Sequence, residues 1–245
     1  SLSGGFGTIG IGEKFDVGAS MLSRLTAGVP TGEPDGGQLG QFYTSSGDAT
    51  YGSSNEVNYA DNSVKLTYNS NVYSGFSFAV GYTPNMASDG AADDAQATTV
   101  TRSAISSYSD VLSTYAKYHM EMDGVGLTLV YGQQAGNAGQ QSGTNYNDLE
   151  ETVYSAAVSY AGLTVDYRKN EADNSGQQKN GNAGNNEGTS VCAKYTMGNI
   201  GLGACQVETS FTDTSNLENS SETRTYSADY ALGGGMTIGL VYFDV

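Results

Sequence analysis

Gly75-Phe76-Ser77-Phe78-Ala79-Val80-Gly81-Tyr82-Thr83 is the stretch that decides the fold. Side chains on a strand point alternately to its two faces. Phe76, Phe78, Val80 and Tyr82 therefore share one face, and Ser77, Ala79, Gly81 and Thr83 share the other. Residues 235 to 243, GMTIGLVYF, repeat the pattern with Met236, Ile238, Leu240 and Tyr242 on the greasy side. In a soluble sheet the greasy side would pack on a core. Here the opposite side is small and polar, as a surface facing water would be.

Composition argues against an ordinary core. The 245 residues include 34 Gly, 18 Tyr, 3 Pro and no Trp, and only 38% are hydrophobic. That is lean for a globular β domain of this length. A transmembrane antiparallel β-barrel resolves the problem, because its apolar faces meet lipid and its polar faces line a wet lumen. The formal net charge of -16 repels nucleic acid, so a nucleic-acid partner is not expected. The chain contains no run of eighteen or more apolar residues, so no helix is expected to span a membrane.

Working outward from residues 75–83, alternation predicts eleven strands: 2–12, 63–69, 75–83, 108–120, 125–131, 152–160, 163–169, 190–197, 202–211, 223–232 and 235–243. Asn71 to Ser74, Asp123-Gly124, Ala161-Gly162, Gly198-Asn199 and Gly233 to Gly235 are turn residues suited to tight hairpins. These short connections alternate with long polar ones at 84–107, 134–148 and 170–186. Sorting by length puts short turns on one side of a membrane and long loops on the other. Tyr68, Tyr82, Tyr118, Tyr131, Tyr160, Tyr167 and Tyr242 lie near strand ends, where a ring can be buried and its hydroxyl wetted.

Three segments resemble a known family. Ser1-Leu2-Ser3-Gly4-Gly5-Phe6-Gly7-Thr8-Ile9 resembles the strand that general bacterial porins carry just before an inward-folding loop. Residues 61–68, DNSVKLTY, followed by 73–78, YSGFSF, resemble the hairpin just after that loop. Tyr230-Ala231-Leu232-Gly233-Gly234-Gly235-Met236 resembles a late turn of the same family. The resemblance implies a barrel of sixteen strands in the complete protein, an even number as in bacterial barrels. It also implies a homotrimer in the outer membrane of a Gram-negative bacterium, in contact with lipid and lipopolysaccharide. The function implied is passive diffusion of small hydrophilic solutes and ions, with no enzymatic activity and no cofactor. The odd strand count and the ending Tyr242-Phe243-Asp244-Val245 imply that a closing strand and several opening strands lie outside this chain. Residues 1–245 then form one barrel domain. Tyr59 departs from the pattern, since family members often carry a basic residue there.

The resemblance makes residues 13–61 the constriction loop, folded into the lumen. Its acids include Glu13, Asp16, Glu33, Asp35, Asp48, Glu56 and Asp61. Glu33, Asp35, Asp48 and Glu56 are the candidate pore carboxylates, with ordinary solvated loop charges as the alternative. Alternation places Lys65, Lys117, Arg168 and Lys194 on the lumen side of the wall. Acids on one side of an eyelet and cations on the other set up a transverse field. The excess of acid predicts a mild cation preference.

Cys192 and Cys205 are equidistant from the Gly198-Asn199 turn. A two-residue turn sets them opposite each other at a non-hydrogen-bonded pair, about 4.5 Å apart at Cα, which a disulfide accepts. Two free thiols, or a register shifted by a bulge, are the alternatives. Asp89, Asp93 and Asp94 offer a weak calcium possibility, against a solvated acidic loop. Gly5-Phe6-Gly7-Thr8-Ile9-Gly10 matches a dinucleotide fingerprint, but its glycines lie in an alternating strand with no helix expected after it. His119 is the only His, and no serine or cysteine set points to it as a base. The alternative function is an acidic β-rich surface-layer or adhesin/fibre protein.

Overall fold

The computed structural model describes residues 1–13, 16–22, 63–85, 108–138, 140–141, 143–172, 175, 178–179, 186–212 and 218–244. The strands are β1 (Leu2–Gly4), β2 (Gly7–Glu13), β3 (Val64–Asn69), β4 (Phe76–Asn85), β5 (Tyr108–Met122), β6 (Val125–Ala138), β7 (Gln140–Gln141), β8 (Thr144–Asn145), β9 (Leu149–Tyr160), β10 (Leu163–Glu171), β11 (Asn186–Met197), β12 (Ile200–Thr212), β13 (Glu218–Gly233) and β14 (Met236–Asp244). Among the described residues one helix, α1 (Val17–Met21), lies between β2 and β3. Twelve strands form one antiparallel sheet in chain order, and β7 and β8 pair separately as a small ribbon. Among the described residues no pairing joins β14 to β1.

Hairpin chemistry accounts for this order. In a meander of antiparallel strands, successive connections fall at opposite ends, so all the short turns share one end of the sheet. Ala161 (φ 47°) and Gly162 (φ 85°) both sit in the left-handed region between β9 and β10, as a two-residue I′ turn requires. A Cβ on Gly162 would also lie 2.4 Å from the Thr196 carbonyl oxygen of β11, so glycine serves both the turn and the neighbouring strand.

The structure corrects the strand plan in three places. Residues 2–12 are not one strand: the chain turns at Gly5-Phe6, and Leu2 pairs back with Ile9. A two-residue turn reverses the parity of the alternation, so Leu2 shares a face with Ile9, but this Gly-rich stretch has too few apolar side chains for the reversal to show. Residues 134–148 are not a bare loop, since β6 runs on to Ala138 and β7 and β8 follow. The upper part of β6 pairs with both neighbours, yet its Gln133-Gln134-Ala135-Gly136-Asn137 carries no apolar alternation to reveal it. Finally, a helix does follow the Gly5–Gly10 stretch, but it starts well beyond Gly10, and those glycines lie in the β1–β2 hairpin.

The two faces of the sheet differ as the alternation requires. Phe76, Phe78, Leu129, Tyr167 and Leu202 are exposed on the outer face, and Leu240 reaches 78% exposure. The apolar band ends at tyrosines. The Tyr131 and Tyr154 rings lie 5.4 Å apart and those of Tyr226 and Tyr242 6.3 Å apart, on neighbouring strands. One same-face step beyond them stand Gln133, Thr152, Arg224 and Asp244, and beyond Tyr167 stands Lys169. That change marks the level at which a lipid-facing surface meets water. The inner face is buried or half-buried and mostly polar. Among the described residues its largest apolar cluster is made by Val17, Met21 and Leu22 of the α1 segment against Ala79, Tyr115, Val130 and Val153, and a smaller one by Tyr108, Val111 and Leu149.

Candidate functional site: the inner wall and the root of the long loop

Among the described residues the inner wall carries charge of both signs. Lys65 on β3, Lys117 on β5, Arg168 on β10 and Lys194 on β11 all stand on the inward-facing alternation. Glu151 on β9, Asp166 on β10 and Asp229 on β13 stand on the same face. The four cations do not gather at one point. Lys194, paired with Thr164, lies near the short-turn end, whereas Arg168 lies deeper, opposite Ser155 and Ser190. Arg168 attracts Asp166, its same-face neighbour on β10, and Ser155 hydrogen-bonds that carboxylate. Glu151 accepts from Asn170 Nδ2 at 3.4 Å.

Lys65 is only 2% exposed. Its charge faces Asp16, one of the acids of residues 13–61 but not one of the four candidate pore carboxylates. Asp16 caps α1: its Oδ1 accepts from the Gly18 backbone N–H at 3.3 Å. The same oxygen accepts from Gln134 Nε2 at 2.8 Å, and that amide also donates to Ser113 Oγ at 3.0 Å. The helix root is thereby tied to β5 and β6. Burial pushes the Asp16 carboxyl above its ordinary 3.8, while Ser113, the Gly18 N–H, Lys65 and Gln134 act in the opposite direction. The sequence did carry a signal for this anchor: an Asp followed by the short stretch Val-Gly-Ala-Ser-Met reads as an N-cap.

Glu33, Asp35, Asp48 and Glu56 lie outside the described residues, as do Asp89, Asp93 and Asp94. Among the described residues no group of three or more His, Cys, Asp or Glu side chains could hold a metal ion. Cys192 and Cys205 are register partners on the inner face, 4.1 Å apart at Cα, and joined by a disulfide. His119 Nδ1 shares a hydrogen bond of 2.8 Å with Thr128 Oγ1, and Glu121 lies 3.8 Å from the other ring nitrogen.

A sheet whose outer face is apolar and whose inner face carries buried ionisable groups is the wall of an outer-membrane β-barrel. No helix of the described residues is long and apolar enough to cross a membrane. The particular family follows from the sequence itself. The family model described as Gram-negative porin matches residues 1–244, and the chain belongs to that family. No curated protein matches the sequence.

Solved structures share the fold. One is in-vitro folded OmpT, an outer membrane protein of Vibrio cholerae, at TM-score 0.56 and 13% identity, covering 98% of this chain and 66% of that one. A loop L8 deletion mutant of the same protein gives TM-score 0.51 and 12% identity, covering 97% of this chain and 70% of its own. An anion-selective porin from Comamonas acidovorans gives TM-score 0.59 and 15% identity, covering 99% of this chain and 65% of its own. The chain thus spans about two thirds of each of these structures.

Proposed function

We propose that this chain is the greater part of a homotrimeric outer-membrane diffusion channel for small hydrophilic solutes and ions, with sixteen strands per complete barrel. The observation that carries the reading is the division of faces. Lys65, Glu151, Asp166 and Arg168 are buried or lie inward, while Phe76, Leu129, Tyr167 and Leu240 point outward. A surface-layer or fibre domain has no use for such an outer face. Lipid and lipopolysaccharide are the surroundings this face and its tyrosine boundary suit.

The ion preference follows from where the acid sits. The described inner wall nearly balances carboxylates against cations, so the bulk of the net charge of -16 lies elsewhere in the chain. Asp148, Glu150, Glu171, Glu187 and Glu222 stand at the long-loop ends of the strands. Charge at a mouth attracts counterions within a Debye length of about 10 Å at 0.1 M salt. A mild cation preference that weakens as salt rises is therefore expected. Reconstitution of the complete protein in a planar bilayer tests both parts. Stepwise conductance in groups of three equal steps supports the trimeric channel, and absence of conductance refutes it. Reversal potentials in a salt gradient give the preference. The Comamonas porin is anion-selective, and the same outcome here would overturn the cation assignment.

A further inference from the structure

Among the described residues the inner wall is mostly polar; a smaller apolar cluster of Tyr108, Val111 and Leu149 lies apart, and the largest apolar patch lies under α1. There it offers a pocket for three apolar residues and, beside it, one carboxamide with both amide protons aimed at fixed acceptors. Val17, Met21 and Leu22 are each buried against Ala79, Tyr115, Val130 and Val153. Two glycines make the close approach possible. A Cβ on Gly18 would lie 2.5 Å from Tyr115 Oη, and one on Gly132 would lie 2.2 Å from the Tyr115 ring. Tyr115 is thus clamped between its strand partner Gly132 and the helix.

Gln134 is 1% exposed. Its Nε2 gives one proton to Asp16 Oδ1 and the other to Ser113 Oγ. Its Oε1 is buried with no hydrogen-bond partner among the described residues. A buried amide with one end unsatisfied is a cost, so the two donated bonds at the other end must outweigh it. Across the β6–β9 pair, Gln134 faces Glu151. A wall residue chosen only to fill space there would not need a donor.

We propose that Gln134 is the positioning residue of the long loop: its donation to Asp16, together with the Val17–Met21–Leu22 clip, latches α1 to the wall and fixes the path on which the chain enters the lumen. The proposal rests on the channel reading for its consequence, pore calibre, but the latch itself can be read without conduction. A hydrogen bond to a charged acceptor shifts a docked–undocked ratio about tenfold or more when lost. With a carboxylate in place of the amide, the bond becomes repulsion between two acids.

The test uses the complete protein in lipid vesicles, with Leu22→Cys as reporter. Leu22 is buried in the docked cluster, and undocking of α1 is expected to expose it. The rate of reaction with a water-soluble thiol reagent then reports undocking. Gln134→Glu is expected to raise that rate about tenfold or more. Combining Gln134→Glu with Asp16→Asn exchanges carboxylate and amide, restores one donor and one acceptor, and is expected to return the rate toward its starting value. Gly18→Val, which drives a side chain into Tyr115, is expected to raise the rate without altering any charge. In the same proteins without the reporter, single-channel current should be larger or noisier for Gln134→Glu and quieter again for the exchange pair. An unchanged thiol rate in Gln134→Glu, or a raised rate that the exchange leaves untouched, overturns the latch. Wild-type vesicles that show the latch but conduct nothing overturn the channel reading instead, so the two failures are separable.

Discussion

Two sectors of the same wall are built on opposite principles. Under α1, strands β4, β5, β6 and β9 present Ala79, Tyr115, Val130 and Val153 to a docked piece of loop, and a small hydrophobic core results. Along β10 to β13 the inner face instead shows Asp166, Arg168, Ser190, Thr223 and Thr225, and the one close pair of apolar groups is a disulfide. The first sector gains by removing apolar surface from water, at roughly 25 cal/mol per Å². The second is held by its backbone ladder and by one covalent bond. The comparison teaches that, among the described residues, apolar packing is local: it is largest where the loop root docks, a smaller cluster of Tyr108, Val111 and Leu149 lies apart from it, and elsewhere the sheet is stabilised by pairing and by what lies outside it.

The comparison predicts different responses to substitution. The largest effect is expected from Val153→Asp, which buries an unpaired charge in the apolar cluster. Loss of about 3–5 kcal/mol is expected. It would show as a fall in the temperature at which the folded barrel unfolds on a heat-modifiability gel. Met21→Ala comes next, at about 2–5 kcal/mol for a large buried side chain. Reducing the Cys192–Cys205 bond, which spans a sequence separation of 13, should cost about 3 kcal/mol and leave conductance unchanged. A conductance change on reduction would merge the two sectors functionally and break the comparison.

The smallest expected effect lies in the polar sector. Thr223 Oγ1 and Thr225 Oγ1 are buried without a hydrogen-bond partner among the described residues. Thr225→Val keeps the shape and removes the orphan hydroxyl, so it should be neutral or slightly stabilising. A clear loss of thermal stability would mean that the hydroxyl makes a bond the polar sector depends on.

Acid sharpens the contrast further. The folded Asp16 carboxyl has its affinity for a proton raised above the ordinary 3.8 by burial, so the folded chain holds that proton more tightly than the unfolded one. The resulting stabilisation is complete below 3.8 and is lost as pH rises through the raised folded value. Wild type should therefore gain thermal stability relative to Asp16→Asn as pH falls from 7 toward about 4. Equal pH profiles would remove burial as the dominant influence on Asp16.

What could be read from the sequence follows the same division. The lipid-facing alternation of Phe76–Tyr82 and Met236–Tyr242 was legible because one face must be apolar over its whole length. The Cys192–Cys205 register was legible because a two-residue turn fixes every partner above it. The hairpin hidden in residues 2–12 and the upper part of β6 were not. The turn at Gly5-Phe6 shifts the alternation by one, but the glycines around it leave too few apolar side chains to show the shift, and strands beyond the membrane pair without an apolar face. The loop root was missed for a related reason. Asp16 matters through Gln134 and Ser113, which are far away along the chain and become neighbours only when β5, β6 and the loop are assembled. Lys65 stands close enough to Asp16 to lower that carboxyl's proton affinity, a partner the sequence could not name.

Site-directed nitroxide labels placed singly from residue 226 to 231 of β13, in the complete protein in lipid, test the central claim most directly. Tyr226, Ala228 and Tyr230 face outward, and Ser227, Asp229 and Ala231 inward. The division of faces predicts that collisions with lipid-soluble oxygen peak at 226, 228 and 230. Collisions with a water-soluble nickel chelate should be least at those three positions, so the two profiles alternate out of phase. Profiles that rise and fall together, or that show no period of two, would contradict a wall with lipid on one side and a lumen on the other.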